Sequence, residues 1–312
     1  MASNDSQYQP SKIITINSDQ AGQRIDNFLF TYLKGVPKTR IYKMLRKGEV
    51  RVNKGRKKQV YRLKDGDQLR LPPLHIEPES DKPNPSLARI KDLEQRIVYE
   101  SKRLLVLNKP SGMAVHGGSG ENFGVIEALR SLRPDAPYLE LVHRLDKLTS
   151  GCLLIAKKRS TLRLLHEQLR NHSITKTYNA IVWGQWPSKL NVIDQPLEVR
   201  RFANGDRKSV VSEAGKASKT KFKLLKEIGP FSLIQAQPVT GRMHQIRVHC
   251  CWADMPICGD VKYLQDKDRL KQHKRLYLHA EKIRFREQQD GPMIEVASES
   301  NSFQSMITKL TG

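Results

Sequence analysis

No run of about eighteen apolar residues occurs in this sequence, so it offers no membrane-spanning helix. Cysteine is scarce: Cys152, Cys250, Cys251 and Cys258 are the only four in 312 residues. They form no Cys-x-x-Cys pair and no spaced framework, which argues against a disulfide scaffold. His244, His249, Cys250, Cys251 and Cys258 crowd together, but the spacing fits no zinc pattern, and no metal is expected. Glycine fingerprints of the P-loop or Rossmann type are missing as well. The opening Met-Ala-Ser-Asn-Asp lacks the basic-then-apolar order of a secretory signal. A reduced, cytoplasmic setting is therefore expected. Acidic residues are outnumbered, Asp+Glu at 32 against Lys+Arg at 55, a formal net charge of +23. An excess of that size calls for a polyanionic partner. No amphipathic helix with a broad aromatic face stands out, so nucleic acid is expected rather than a membrane.

What is present divides the chain. Residues 1–11 are polar and read as a flexible tail. Residues 12–73 read as a small domain. Within it Ile25, Phe28, Leu29 and Leu33 recur at helical spacing, with Gly35 placed to end that helix and Pro37 to begin the next. In the second helix Ile41, Met44 and Leu45 make the inward face, while Arg40, Lys43 and Lys47 make a basic one. A hairpin is expected over residues 50–58, carrying Arg51 and turning at Asn53-Lys54-Gly55. A basic helix beside a basic hairpin grips phosphates without reading sequence. Residues 74–95 are charged and proline-rich, and read as a linker. Residues 96–312 form the larger domain.

In that larger domain strands are expected over residues 97–100, 104–107, 138–142, 152–156, 175–183, 218–225 and 231–236. Helices are expected over 123–132 and 160–169, the latter capped by Ser160, and after Val239. Strands dominate without a regular βαβ period. The fold class is therefore α+β with a mixed, mostly antiparallel sheet. Between two of the strands lies His143-Arg144-Leu145-Asp146-Lys147-Leu148-Thr149-Ser150-Gly151, one carboxylate among cations and hydroxyls. Alone, such an Asp is more often half of a structural ion pair than a reacting group.

Two further patches change that balance: Lys176-Thr-Tyr178-Asn-Ala and Thr240-Gly-Arg242-Met-His-Gln-Ile-Arg247. With the Asp146 stretch, with Asn108-Lys-Pro-Ser-Gly and with Val115-His-Gly-Gly, they resemble the pseudouridine synthases of the RluA family over nearly the whole chain. Residues 22–71 resemble the S4 RNA-binding module through Arg24-Ile-Asp26, the helix from Arg40 to Gly48 and Val50-Arg-Val-Asn53. The resemblance implies isomerisation of chosen uridines in RNA. The glycosidic bond is broken, the uracil is turned and a carbon–carbon bond is made at C5, with no cofactor and no metal. It implies Asp146 as the essential carboxylate, Arg247 as its cationic partner and Tyr178 as the residue stacked on the flipped base. Arg144 would contact RNA nearby, and Arg40, Lys43, Lys47 and Arg51 would bind it in the S4-like domain. A buried carboxylate needs such a cation to stay charged. The S4 module in front is the arrangement of members acting on 23S, large-subunit ribosomal RNA, and a monomer is expected. A sister enzyme with another ribosomal or transfer RNA target, and a non-catalytic RNA-binding assembly protein, are the competing readings. Lys147-Leu148 departs from the family pattern, in which an Arg and a polar residue commonly follow the Asp. Residues 258–275 are charged and untypical, with no role assigned.

Overall fold

The computed structural model describes residues 7–18, 20–33, 36–76, 88–118, 123–202, 205–264, 266–273 and 275–311. Two units make up the chain, residues 1–82 and 83–312. The first holds β1 (Gln7–Gln9), β2 (Lys12–Thr15), α1 (Ile25–Tyr32), α2 (Lys38–Lys47), β3 (Arg51–Val52), β4 (Gln68–Leu71) and β5 (Leu74–Ile76). Both helices follow their apolar spacing: Ile25, Phe28 and Leu29 of α1 meet Ile41, Met44 and Leu45 of α2 in one core with Val52, Leu69 and Leu71. Fully burying each such side chain is worth about 1.5–3 kcal/mol. Gly48 closes α2 in the left-handed conformation, at φ 72°, where a Cβ would be strained. Gly35, expected to close α1, lies outside the described residues.

Of the expected hairpin, only the turn forms. Asn53 and Lys54 take φ of 50° and 65°, and Val52 and Gly55 exchange two backbone hydrogen bonds of 2.9 Å. These are the features of a tight primed turn. The strand partner of β3 is β4, which lies between β2 and β3. The reason is the Asp67 carboxylate just before β4. It accepts from Asn53 Nδ2 at 2.8 Å, the Tyr61 hydroxyl at 3.0 Å and the Lys64 amide at 2.8 Å. The stretches read as tail and linker also contain structure, since β1 pairs antiparallel with β5. Residues 88–95 are a helix, α3 (Ala88–Gln95), with Ile90 and Leu93 fully buried in the second unit. Residues 1–6 and 77–87 lie outside the described residues.

After α3 the second unit runs β6 (Ile97–Glu100), β7 (Leu104–Lys109), α4 (Val125–Leu132), β8 (Glu140–Leu141), β9 (Ser150–Ala156), α5 (Arg159–Arg170) and β10 (Thr175–Trp183). It continues with β11 (Val192–Asp194), β12 (Leu197–Arg201), β13 (Arg207–Val211), β14 (Lys219–Ile228), β15 (Phe231–Pro238) and α6 (Gln245–Trp252). It ends with α7 (Lys267–Gln272), β16 (Leu278–Phe285), β17 (Ile294–Ala297) and α8 (Asn301–Thr311). One large sheet has the order β11-β14-β15-β10-β16-β9-β7-β6, with β17 beside β16 and β8 beside β9. Among the described residues only β9 and β16 pair in parallel, so the sheet is mixed and mostly antiparallel, as the strand-rich sequence predicts. β12 and β13 stand apart as a two-stranded ribbon.

The strand period of two sorts the core onto both faces of this sheet. Leu105, Leu107, Leu153 and Ile155 point to one face, against Leu129 of α4 and Ile246 of α6. Leu104, Val106, Cys152 and Leu154 point to the other, against Leu165 of α5. α5 begins one residue before Ser160, and Lys158 at its N-cap makes no side-chain capping bond. β9 is buried on both faces throughout, which is why it reads as an unbroken apolar run. It also starts earlier than its apolar residues do, because Ser150 and Gly151 pair with His279 and Ala280. Gly151 has φ 109°, and a Cβ there would sit 2.7 Å from the Ala280 carbonyl carbon. Glycine alone allows the two backbones to approach so closely.

Candidate active site

Asp146 lies on the loop that feeds β9. Its own carbonyl accepts from the Thr149 amide at 3.1 Å, closing a turn. The neighbouring loop after β7 holds this turn from below. Lys109, wholly buried, sends its ammonium to the carbonyls of Pro110 and Met113 at 2.8 Å and of Lys147 at 3.1 Å. Ser111 Oγ donates to the Leu148 carbonyl at 2.6 Å, and the Gly112 amide donates to that of Lys147 at 2.8 Å. Every one of these acceptors on residues 147 and 148 is a backbone atom, which any residue supplies. The Leu148 side chain packs against the core. The departure at Lys147-Leu148 therefore leaves the support of the loop intact. Burial drives the Lys109 pKa down to about 7, while the field of Asp146 pulls it upward.

Tyr178 comes from β10, the strand between β15 and β16, opposite Ala236 and Ala280. A bulge at Thr177/Tyr178 re-aims the side chain, as bulges beside active sites commonly do. Burial first, then the nearby Asp146 charge, raises the pKa of its hydroxyl, which keeps it protonated. Arg247 and His244 come from the start of α6. Gln245 locks the approach to this helix. Its side-chain oxygen accepts from Thr240 Oγ1 at 2.7 Å and from the Arg242 amide at 3.0 Å. Its amide nitrogen donates to the Lys219 carbonyl at 3.0 Å. His244 caps the helix at φ 55°, a left-handed conformation that is uncommon for a non-glycine residue and clusters at functional sites.

These groups meet in a cavity of about 610 Å³ lined by Arg144, Asp146, Lys176, Tyr178, His244 and Arg247 among others. The volume is within the range of small-molecule pockets and suits an extruded nucleotide. Arg207, Arg242 and Lys262 add positive charge to its wall, and Asp206 adds a second carboxylate. Asp146 is about a quarter exposed, 23%. Arg247 Nη1 is 3.5 Å from Asp146 Oδ2. The expected pairing is present, but it is not the principal one. Arg247 makes a two-point contact with the buried Asp260, Nη2 to Oδ1 at 2.6 Å and Nε to Oδ2 at 2.8 Å. Burial opposes the Arg247 charge, yet the bonds and fields of Asp260, with that of Asp146, raise its pKa above normal.

His244 Nε2 is 3.8 Å from Asp146 Oδ2. Burial, with Arg247 and Lys262, holds the imidazole below its ordinary pKa against the pull of Asp146, which favours the neutral ring. His143 is structural: its Nε2 accepts from the Leu154 amide at 3.1 Å, and burial lowers it to about 3. Arg144 is exposed at the mouth of the cavity. The four basic residues expected to bind RNA in the S4-like domain belong to the first unit. There Lys43, Lys47 and Arg51 are exposed, and Arg40 pairs with Glu49 at 3.0 Å. Asp260, Tyr263 and Lys109 were not foreseen as parts of the site. Asp260 and Tyr263 lie in the untypical segment, and Lys109 stands in the Asn108-Lys-Pro-Ser-Gly stretch, which says nothing of its burial.

A carboxylate beside a protonated tyrosine, in a largely cation-walled cavity on this mixed sheet, defines an enzyme acting on a polyanion. A family model described as RNA pseudouridylate synthase matches residues 103–252, and an S4 domain model matches residues 23–69. "Ribosomal large subunit pseudouridine synthase C" of Haemophilus influenzae is 51% identical over 306 residues, covering 96% of this chain and 95% of that protein. The protein of the same description from Escherichia coli is 50% identical over 293 residues, covering 91% and 92%. Among solved structures, human RNA pseudouridylate synthase domain containing 4 superposes with a TM-score of 0.59 at 25% identity, over 71% of this chain and 95% of that one. The chain belongs to the RluA family and is an RNA pseudouridine synthase, with an S4 domain in front of its catalytic domain. None of its described helices is long and apolar enough to cross a membrane.

Proposed function

We propose that this enzyme converts uridines of 23S, large-subunit ribosomal RNA to pseudouridine, with Asp146 as the essential carboxylate, Tyr178 against the flipped base and Arg247 as the cation beside Asp146. The observation that carries the reading is the convergence of Asp146, Tyr178 and Arg247, from three separate stretches of sequence, on one cavity. The substrate class is supported by relatives of matching length that are named for the large ribosomal subunit. The target uridine leaves its stack, at a cost of a few kcal/mol. Arg144, Arg207 and Arg242 around the cavity mouth neutralise the phosphates on either side of it. Asp146 then works at the ribose and the tyrosine hydroxyl serves proton transfer at C5. In the first unit the exposed Lys43, Lys47 and Arg51, with Arg40, bind phosphates and hold the RNA without reading its sequence.

Pseudouridine mapping of ribosomal RNA from cells with and without the gene tests the target. Sites in 23S RNA should disappear in the deletion strain, and an unchanged map refutes the assignment. Asp146→Ala should form no pseudouridine on the same RNA while binding it normally. An active Asp146→Ala variant would sink the assigned role.

A further inference from the structure

We propose that the turn over residues 259–263 aims Asp146: Asp260 and Tyr263 are positioning residues, acting through Arg247 and His244, that hold one oxygen of Asp146 and leave the other to react. The inference rests on the reading of Asp146 as the essential carboxylate. The turn itself is fixed. Gly259 has φ 73° and lies so close to the Arg275 backbone that no side chain fits. The Cys258 amide donates to the Ile181 carbonyl at 2.9 Å, and the Tyr277 amide donates to the Cys258 carbonyl at 3.0 Å. Asp260 Oδ1 also accepts from the Lys262 amide at 3.0 Å.

From this base two arms reach the same atom. In the first, Asp260 occupies Nε and Nη2 of Arg247 at 2.8 and 2.6 Å. The Nε edge of the planar guanidinium is thereby committed and its plane fixed, and Nη1 faces Asp146 Oδ2 at 3.5 Å. The Tyr263 ring lies 5.1 Å from the same guanidinium and stabilises its charge. In the second arm, the Tyr263 hydroxyl accepts from the Ser209 amide at 3.0 Å and is 2.7 Å from His244 Nδ1. In this arrangement the hydroxyl proton is directed at Nδ1, which takes the acceptor role. The neutral imidazole then carries its own proton on Nε2, the nitrogen 3.8 Å from Oδ2 of Asp146. Both arms therefore polarise Oδ2. Without Asp260 the guanidinium plane is no longer fixed, and Arg247 can turn to close on both oxygens of Asp146, which blocks the reacting one.

Tyr263→Phe tests this cleanly, because it keeps the ring over Arg247 and deletes only the hydroxyl. We expect kcat to fall about tenfold, the worth of one buried hydrogen bond, with KM for RNA unchanged and the melting temperature lowered by the stranded Ser209 amide. His244→Gln should show a comparable or larger fall. The double variant should be no slower than His244→Gln alone, because the hydroxyl acts through the imidazole. Asp260→Asn should likewise lower kcat and spare KM. The inference is overturned by a Tyr263→Phe enzyme with wild-type kcat, or by losses that multiply in the double variant. An Asp146→Asn enzyme with normal activity overturns the underlying reading instead. An inactive Asp146→Asn beside a fully active Tyr263→Phe removes only the inference made from the turn.

Discussion

Lys109→Met is the sharpest test of how the loop bearing Asp146 is held. Methionine nearly matches the length of lysine but donates nothing. The substitution strands three carbonyls, those of Pro110, Met113 and Lys147, that now receive the ammonium within 2.8 to 3.1 Å. Each unsatisfied buried carbonyl costs about 1–3 kcal/mol. Against that stands the relief of several kcal/mol from no longer burying an ammonium. The net expectation is a destabilisation on the order of 3 kcal/mol, read as a lower urea midpoint with an unchanged slope. Because Lys147 follows Asp146 directly, the freed loop should also lower kcat by about 100-fold, as misplacement of a reacting group by about an ångström does. RNA affinity should be unaffected.

The same substitution has a pH signature. The Lys109 pKa is lowered from 10.5 to about 7 in the folded protein. Between those values the unfolded chain binds the proton and the folded one does not, so wild-type stability rises with pH across the window. Lys109→Met lacks that rise. The stability gap between the two proteins should widen between pH 7 and 9, by at most about 1.4 kcal/mol per unit. An unchanged midpoint, an unchanged rate and a constant gap would refute the role given to the ammonium.

Two other expectations follow from charge. Glu100 is bonded to Arg133 at 2.6 Å and to Lys157 at 2.6 Å, and these cations, Arg133 first, lower its pKa from 4.5 to about 2. That stabilisation is complete above pH 4.5 and is lost as pH falls toward 2. Glu100→Gln should therefore be less stable than wild type at pH 6, by about 1–2 kcal/mol after screening at a partly exposed site, and should converge with it in acid melts. In the first unit, replacing Lys43 and Lys47 with Gln should weaken RNA binding uniformly. It should flatten the plot of log affinity against log salt by about one unit for each phosphate no longer neutralised. An unchanged salt slope would remove these residues from the interface.

Local pattern carried much of this protein. The spacing of Ile25, Phe28 and Leu29, and of Ile41, Met44 and Leu45, was enough for α1 and α2, because a helix that buries one stripe must repeat it every turn. The apolar run of β9 and the β-branched and aromatic content of β10 were enough for two central strands. The Asp146, Tyr178 and Arg247 patches were legible as a set through the residues beside each of them. What failed to show was whatever depends on a partner distant in sequence. β5 and α3 were hidden inside a charged, proline-rich stretch because their worth comes from pairing with β1 and from burial of Ile90 and Leu93. The pairing of β3 with β4 was hidden in the Asp67 carboxylate. Ser150 and Gly151 read as loop, and only β16 alongside makes them strand.

The site divides in the same way. Sequence by itself pointed to Asp146, Tyr178, Arg247 and an excess of cations suited to a polyanion. Tertiary structure alone decided how they are held. It buried Lys109 under the Asp146 loop, gave the Arg247 fork to Asp260 and turned His244 toward the carboxylate through Tyr263. Side-chain identity fixes what a group can do, but the partner that shares a buried charge is chosen by distances of a few ångströms between residues far apart in the chain.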